Sequence, residues 1–186
     1  MLQFLIESPE VANAMATVAS AVLAAVACVV AVISLRVSSK TLEHQQAHNV
    51  LSVRPIGSIV VGDYENQLFV KVVNNGVGPL LVTSIRVSDG PEPGKALIDQ
   101  MPELPPEVYW TNFVEDTSGR TILPGGELML LDLEVGSSKS IGQFSIARDQ
   151  VREALGKLSV EVTYSDVYNS KIDPVARDLK WFHRHQ

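Results

Sequence analysis

Four histidines stand in this chain, and two of them have a spacing that can do chemistry. His44 and His48 are four residues apart, so on a helix they would present two imidazoles to one metal ion. A closed zinc site needs two more ligands, from a neighbouring chain or from His183 and His185. Helical zinc proteases carry a Glu directly after the first His. Here Gln45 holds that place and Glu43 precedes His44, so the hydrolytic arrangement is missing. Solvated histidines on an exposed helix account better for the pair. Glu161, Asp166, Asp173 and Asp178 invite comparison with a calcium cluster, but their spacing departs from the helix-loop-helix calcium loop. Acids near strand ends are ordinarily solvated, so neither a metal nor another cofactor is expected.

Covalent and phosphate chemistry lack their usual carriers. There is no G-x-S-x-G elbow, no phosphate-cradling P-loop and no G-x-G-x-x-G. Gly76-Val77-Gly78-Pro79 lies between two strand-like runs, where it reads as a hairpin turn or bulge. From Pro55 onward there are 12 Lys and Arg against 18 acids, with no basic stripe to hold a nucleic-acid duplex. A non-enzymatic protein is expected.

The elements that would position any site begin with an apolar one. Val11 to Leu35 is a run of 25 residues without a charge, rich in Ala and Val. As a helix it would reach about 37 Å, more than the roughly 30 Å of a bilayer's hydrocarbon core. Ser8 suits an N-cap, Pro9 the first helical position and Glu10 the first turn. A cleaved signal peptide would carry positive charge before an apolar stretch of about 7–15 residues. Here Glu7 and Glu10 precede the run and no Lys or Arg does. Ala25-Val26-Ala27-Cys28 partly resembles a lipoprotein cleavage box, yet apolar sequence continues to Leu35, so the segment is expected to remain as an anchor.

All 15 Lys and Arg follow this segment, beginning with Arg36, Lys40 and Arg54. Positive charge favours the cytoplasmic side, which predicts an extracytoplasmic tail at 1–10 and a cytoplasmic C-terminal domain at the inner membrane. Cys28 is the only cysteine and lies in the span, so no disulfide framework exists within one chain. Ala12, Ala16, Ser20, Ala24 and Cys28 form a ladder of small residues every fourth position, with Thr17, Ala21 and Ala25 beside it. Small side chains let helix backbones approach closely in lipid, which predicts a homo-oligomer associating through this face.

Beyond the span at 11–35, residues 36–54 contain no Gly and read as a helical stalk that ends at Arg54-Pro55. Residues 55–186 change character: β-branched runs alternate with Gly, Pro, Asn and Asp clusters. Strands are predicted over Ile56–Val61, Gln67–Val73, Leu80–Val87, Glu127–Val135 and Lys157–Tyr164, with turns at Asn74-Asn75-Gly76, Asp89-Gly90-Pro91 and Pro124-Gly125-Gly126. A short helix is predicted over Ala147–Leu155, ended by Gly156. Pro91–Arg120 is a long connection rich in Pro and acids, of the kind that is often functional or mobile. At the C-terminus, Trp181 and Phe182 are expected to complete the core as a last strand, although the Lys180–Gln186 mixture of aromatic and basic residues also suits an anionic membrane surface.

The fold class this predicts is a single transmembrane α-helix plus a mainly-β domain, a β-sandwich with one short helix. VVNNGVGPLLVTSIRV, LPGGELMLLDLEV and LSVEVTYSD resemble successive strands of bacterial immunoglobulin-like modules of the CARDB type. The likeness lies in an N-x-G turn, a P-G-E before a middle strand and a final strand ending in an acidic turn. It implies an immunoglobulin-like binding or spacing module and assigns no functional residue. The expected function is a membrane-tethered binding or scaffold module at the cytoplasmic face, oligomeric, holding a protein or small-molecule ligand. The alternative is a membrane-anchored sensor-effector of the bacterial defence type, whose β-domain detects a nucleotide or foreign protein and perturbs the membrane.

Overall fold

A computed structural model of the chain describes residues 9–88, 93–94, 96–116, 119–137 and 141–185. The chain divides into two compact units, one reaching Asn49 and the other Val50–Gln186. Helix α1 spans Pro9–Ser52, 44 residues and so about 66 Å. Its start at Pro9 uses a residue whose missing N–H costs nothing there. It stops just before Arg54-Pro55, where proline pushes its predecessor out of the helical region. Ser8 lies outside the described residues.

One helix is therefore long and apolar enough to cross a membrane, and its most apolar stretch is wholly unburied. Two hydroxyls in this stretch are satisfied within the helix. The Thr17 and Ser20 hydroxyls each donate to the carbonyl four residues back, of Asn13 and Ala16, at 2.8 Å. Such back-bonding leaves little polar demand on an apolar surrounding.

The second unit is mainly β. Its strands are β1 (Gly57–Asp63), β2 (Gln67–Asn74), β3 (Leu80–Ser88), β4 (Pro93–Gly94), β5 (Asn112–Phe113), β6 (Thr121–Ile122), β7 (Glu127–Glu134), β8 (Ser159–Ser165) and β9 (Val175–Asp178). Helix α2, Ile141–Leu155, lies between β7 and β8 in sequence. The strands make two antiparallel sheets, ordered β1-β2-β7-β5 and β4-β3-β8-β9, with β6 also paired to β3. Alternation follows the pleat: Leu68, Val70 and Val72 of β2 are buried between half-exposed Phe69, Lys71 and Val73. β7 departs from this rule. Val70 pairs with Leu131 while Lys71 pairs with Met129, so Leu130 is an extra residue in a bulge and both leucines turn inward.

One core takes side chains from both sheets, among them Ile59, Val70, Leu131 and Leu133 from the first and Leu80, Val82, Val160 and Val162 from the second. The sheets are also tied through polar groups. The Gly57 N–H donates to the Tyr164 hydroxyl at 3.1 Å, and Arg177 of β9 donates to the Ile59 carbonyl at 2.7 Å. β2 and β3 belong to different sheets, so Gly76-Val77-Gly78-Pro79 is a crossover between sheets rather than the expected hairpin. Its glycines are required by a close approach: a Cβ on Gly78 would collide with the Val53 backbone, and one on Gly76 with Arg54 and Ile56.

α2 begins six positions before the Ala147 read from sequence and buries Phe144, Ala147, Val151 and Leu155 at helical spacing. After β9 the chain forms a 3-10 segment, Leu179–His185, in place of the expected last strand. Asp178 starts it, accepting the Lys180 N–H at 2.8 Å, and Leu179 and Phe182 complete the core from it. The turn expected at Asp89-Gly90-Pro91 lies outside the described residues.

Candidate functional site

The groups singled out by type do not converge. His44 and His48 are exposed on α1, while the His183 ring lies against Gly156 in the second unit, near the Glu153 carbonyl. Of the four acids, Glu161 pairs with Arg86 at 3.4 Å, Asp178 caps the C-terminal segment and Asp173 is exposed. Asp166 is buried within its own turn, accepting N–H groups of Tyr168 and Ser170 at 2.9 Å each. Burial alone would raise its pKa, but the Ser170 and Tyr168 hydrogen bonds outweigh it and hold the carboxyl below its ordinary range. Among the described residues no cluster of three His, Cys, Asp or Glu is arranged to hold a metal ion. Ala16, Ser20, Ala24 and Cys28 are exposed on α1, with Ala12 half-exposed.

The long connection after β4 builds a different feature. Its far end is fastened to β7: the Thr111 N–H donates to the Asp132 carbonyl at 3.0 Å, and the Thr111 hydroxyl accepts the Glu134 N–H at 2.9 Å. Asn112 and Phe113 then pair with Asp132 and Leu131 as edge strand β5. Val108 and Val114 are buried in the core, and Leu104 and Trp110 pack partly against it. With those anchors inward, the chain's outward positions are fixed: Tyr109 is 64% exposed and Phe113 42%.

Just before Tyr109 the chain folds a tight turn. The Val108 N–H donates to the Pro105 carbonyl at 3.2 Å, with Pro106 second and Glu107 third at φ +70. Proline followed by a positive φ is the type II pattern, whose third position is normally glycine. Beside this turn Pro102, Glu103, Leu104, Val108, Tyr109, Trp110 and Phe113 line an open cleft of about 570 Å³. From Ala96 to Asp116 there are five acids and no Lys or Arg. Gln67 of β2 donates from one amide nitrogen to Asp132 and Glu134 of β7, each at 3.0 Å, so two further carboxylates are held side by side. A cleft walled by aromatic residues, with Glu103 in its lining and its loop fastened to β7, can bind a ligand.

Sequence reading marked this connection as long and acidic without locating a site in it. The usable signal was three aromatic residues, Tyr109, Trp110 and Phe113, inside a stretch free of basic residues. Against known proteins, no family model, no curated protein and no solved structure matches the chain.

Proposed function

We propose that this protein is a non-enzymatic binding module tethered to the inner membrane by α1, with its β-domain at the cytoplasmic face. The observation that carries the proposal is α1 itself, a long apolar helix whose most apolar stretch is unburied. In water so large an apolar surface is a liability, whereas in lipid it is an anchor. Lys and Arg confined to its C-terminal side support the orientation, and the ladder from Ala12 to Cys28 supports a homo-oligomer.

An immunoglobulin-like, CARDB-type reading of the domain is supported by strand order. Sheets β1-β2-β7-β5 and β4-β3-β8-β9 follow the A-B-E-D and C-F-G arrangement of such sandwiches, with β4 as an added edge. α2 is an insertion relative to that plan, between the strands equivalent to E and F. The cleft beside β5 is the binding surface in this reading. No observation favours the sensor-effector alternative over it.

Two readouts on the intact chain test the proposal. A reporter active only in the cytoplasm, fused after Gln186, should work, and the protein should resist alkaline extraction from membranes. A photo-crosslinker at position 109 should give a discrete adduct in cells that the same group at exposed Tyr168 does not. Release by alkali, or the same crosslinking at both positions, would overturn the reading.

A further inference from the structure

We infer that the cleft beside β5 takes a cationic, extended peptide segment of a partner protein. The inference rests on the binding-module reading and adds the chemistry of what is bound. Charge complementarity selects the class: Glu103 lines the cleft itself, and Asp99 and Glu115 belong to the same connection, whose residues 96–116 include no Lys or Arg. An excess of negative charge attracts cations and repels phosphorylated or acidic ligands.

The ring faces supply the second half of the selection. Exposed Tyr109 and Phe113 beside Trp110 offer aromatic surface to guanidinium or ammonium groups, which aromatic quadrupoles attract. Backbone geometry suits an extended segment, because β5 ends its sheet and, among the described residues, no strand pairs with its far side. Glu107 points the same way. It keeps an acid at a φ of +70, where glycine would be free of strain, and such local conflicts gather at binding sites.

The test uses the full chain in nanodiscs of zwitterionic phosphatidylcholine, with labelled dodecapeptides alternating Thr with Arg, Gln or Glu. Fluorescence anisotropy should show the Arg peptide binding at least fivefold tighter than the Gln peptide, and no binding of the Glu peptide. Tyr109→Ala, Glu103→Gln and Glu107→Gln should each weaken the Arg peptide by about threefold to tenfold. Tyr168→Ala and Glu161→Gln, exposed or half-exposed elsewhere, should leave it unchanged.

Equal weakening by the cleft and control variants would mean diffuse attraction and overturn the inference. Binding of the Gln or Glu peptide that Tyr109→Ala abolishes would overturn the cationic class while leaving the binding module intact. If no peptide binds while the position-109 crosslink persists, only the cationic-peptide inference falls. If both fail, the binding reading falls with it.

Discussion

Arg152 of α2 grips Asp63 at the end of β1 through two parallel hydrogen bonds, Nε to Oδ2 at 2.8 Å and Nη2 to Oδ1 at 2.7 Å. The Asp63 side chain is fully buried and that of Arg152 is 14% exposed. Burial would lower the guanidinium's pKa, but the hydrogen bonds and charges of Asp63 and Asp149 raise it, so Arg152 stays charged. Arg148 extends the grip, donating to the Tyr64 and Glu65 carbonyls in the β1–β2 turn at 3.2 and 2.8 Å. The apolar stripe of α2 thus supplies burial, while its arginines set where the helix docks.

Breaking that pair from one side strands a buried charge. Arg152→Ala or Asp63→Ala should each cost about 3–5 kcal/mol, and the double variant less than the sum. Trp110 and Trp181 are the only tryptophans and both lie in the β unit, so urea unfolding followed by tryptophan fluorescence reports this domain within the intact chain. A single-variant loss below about 1 kcal/mol would show that the apolar stripe alone holds α2.

At another corner of the domain Asn74 uses all its side-chain hydrogen-bonding capacity. Its Oδ1 accepts the Ile56 and Gly76 N–H groups at 3.2 and 3.0 Å, and its Nδ2 donates to the Gly78 and Ile122 carbonyls at 2.7 and 3.0 Å. One buried amide therefore joins the chain entering β1, the crossover and β6. Asn74→Ala leaves four backbone groups without this partner and should cost about 2–4 kcal/mol. Gly78→Ala, which forces a Cβ into Val53, should cost about 2–3 kcal/mol by the same fluorescence measurement. Near-neutral results for both would mean that this corner relaxes freely.

These two polar ties mark the limit of what the sequence discloses. The long strands were legible because their alternation is local: Gln67–Asn74 and Ser159–Ser165 each bury every second residue. β9 was missed because four residues, Val175–Asp178, carry too little pattern; pairing with β8 makes them a strand. The start of α2 was missed because Gly142 is a poor helix former and Ile146, 56% exposed, blurs the apolar stripe. The crossover read as a hairpin because turn residues do not say which sheet the next strand joins. Arg152 and Asp63 stand 89 positions apart, and no local signal pairs them. Likewise the cleft depends on Val108 and Val114 turning inward, which sets Tyr109 outward only once the core exists.

Acid should expose the Asp166 turn. Its folded pKa lies below the ordinary value of 3.8, so its stabilisation is fully present above that value and fades as pH falls through the folded pKa. Asp166→Asn, which loses the charged acceptor, should be about 1–2 kcal/mol less stable than the parent at pH 7. The gap should close as the pH falls below 3.8. Asp178, whose pKa is lowered chiefly by the Lys180 hydrogen bond, gives the same sign in both proteins and cancels in the comparison. A gap that stays constant to the lowest pH reached, or widens, would contradict the assignment.

Association through α1 should depend on the face bearing Ala12, Ala16, Ser20, Ala24 and Cys28. A four-residue repeat winds slowly around a helix, so it suits a crossing pair better than parallel axes. Ser20→Leu and Ala24→Leu would hold two backbones apart at the centre of that face and should weaken self-association by about 1–2 kcal/mol, roughly tenfold. The Ser20 hydroxyl already bonds to the Ala16 carbonyl of its own helix, so the serine substitution tests packing rather than loss of an interhelical hydrogen bond. Val22→Leu adds volume on another side and should be nearly silent. The measurement is oligomer fraction in detergent, or signal in a membrane two-hybrid assay, across the three variants. If all three leave the assembly unchanged while a fragment beginning at Val50 still oligomerises, the β-domain organises the assembly and α1 acts only as its tether.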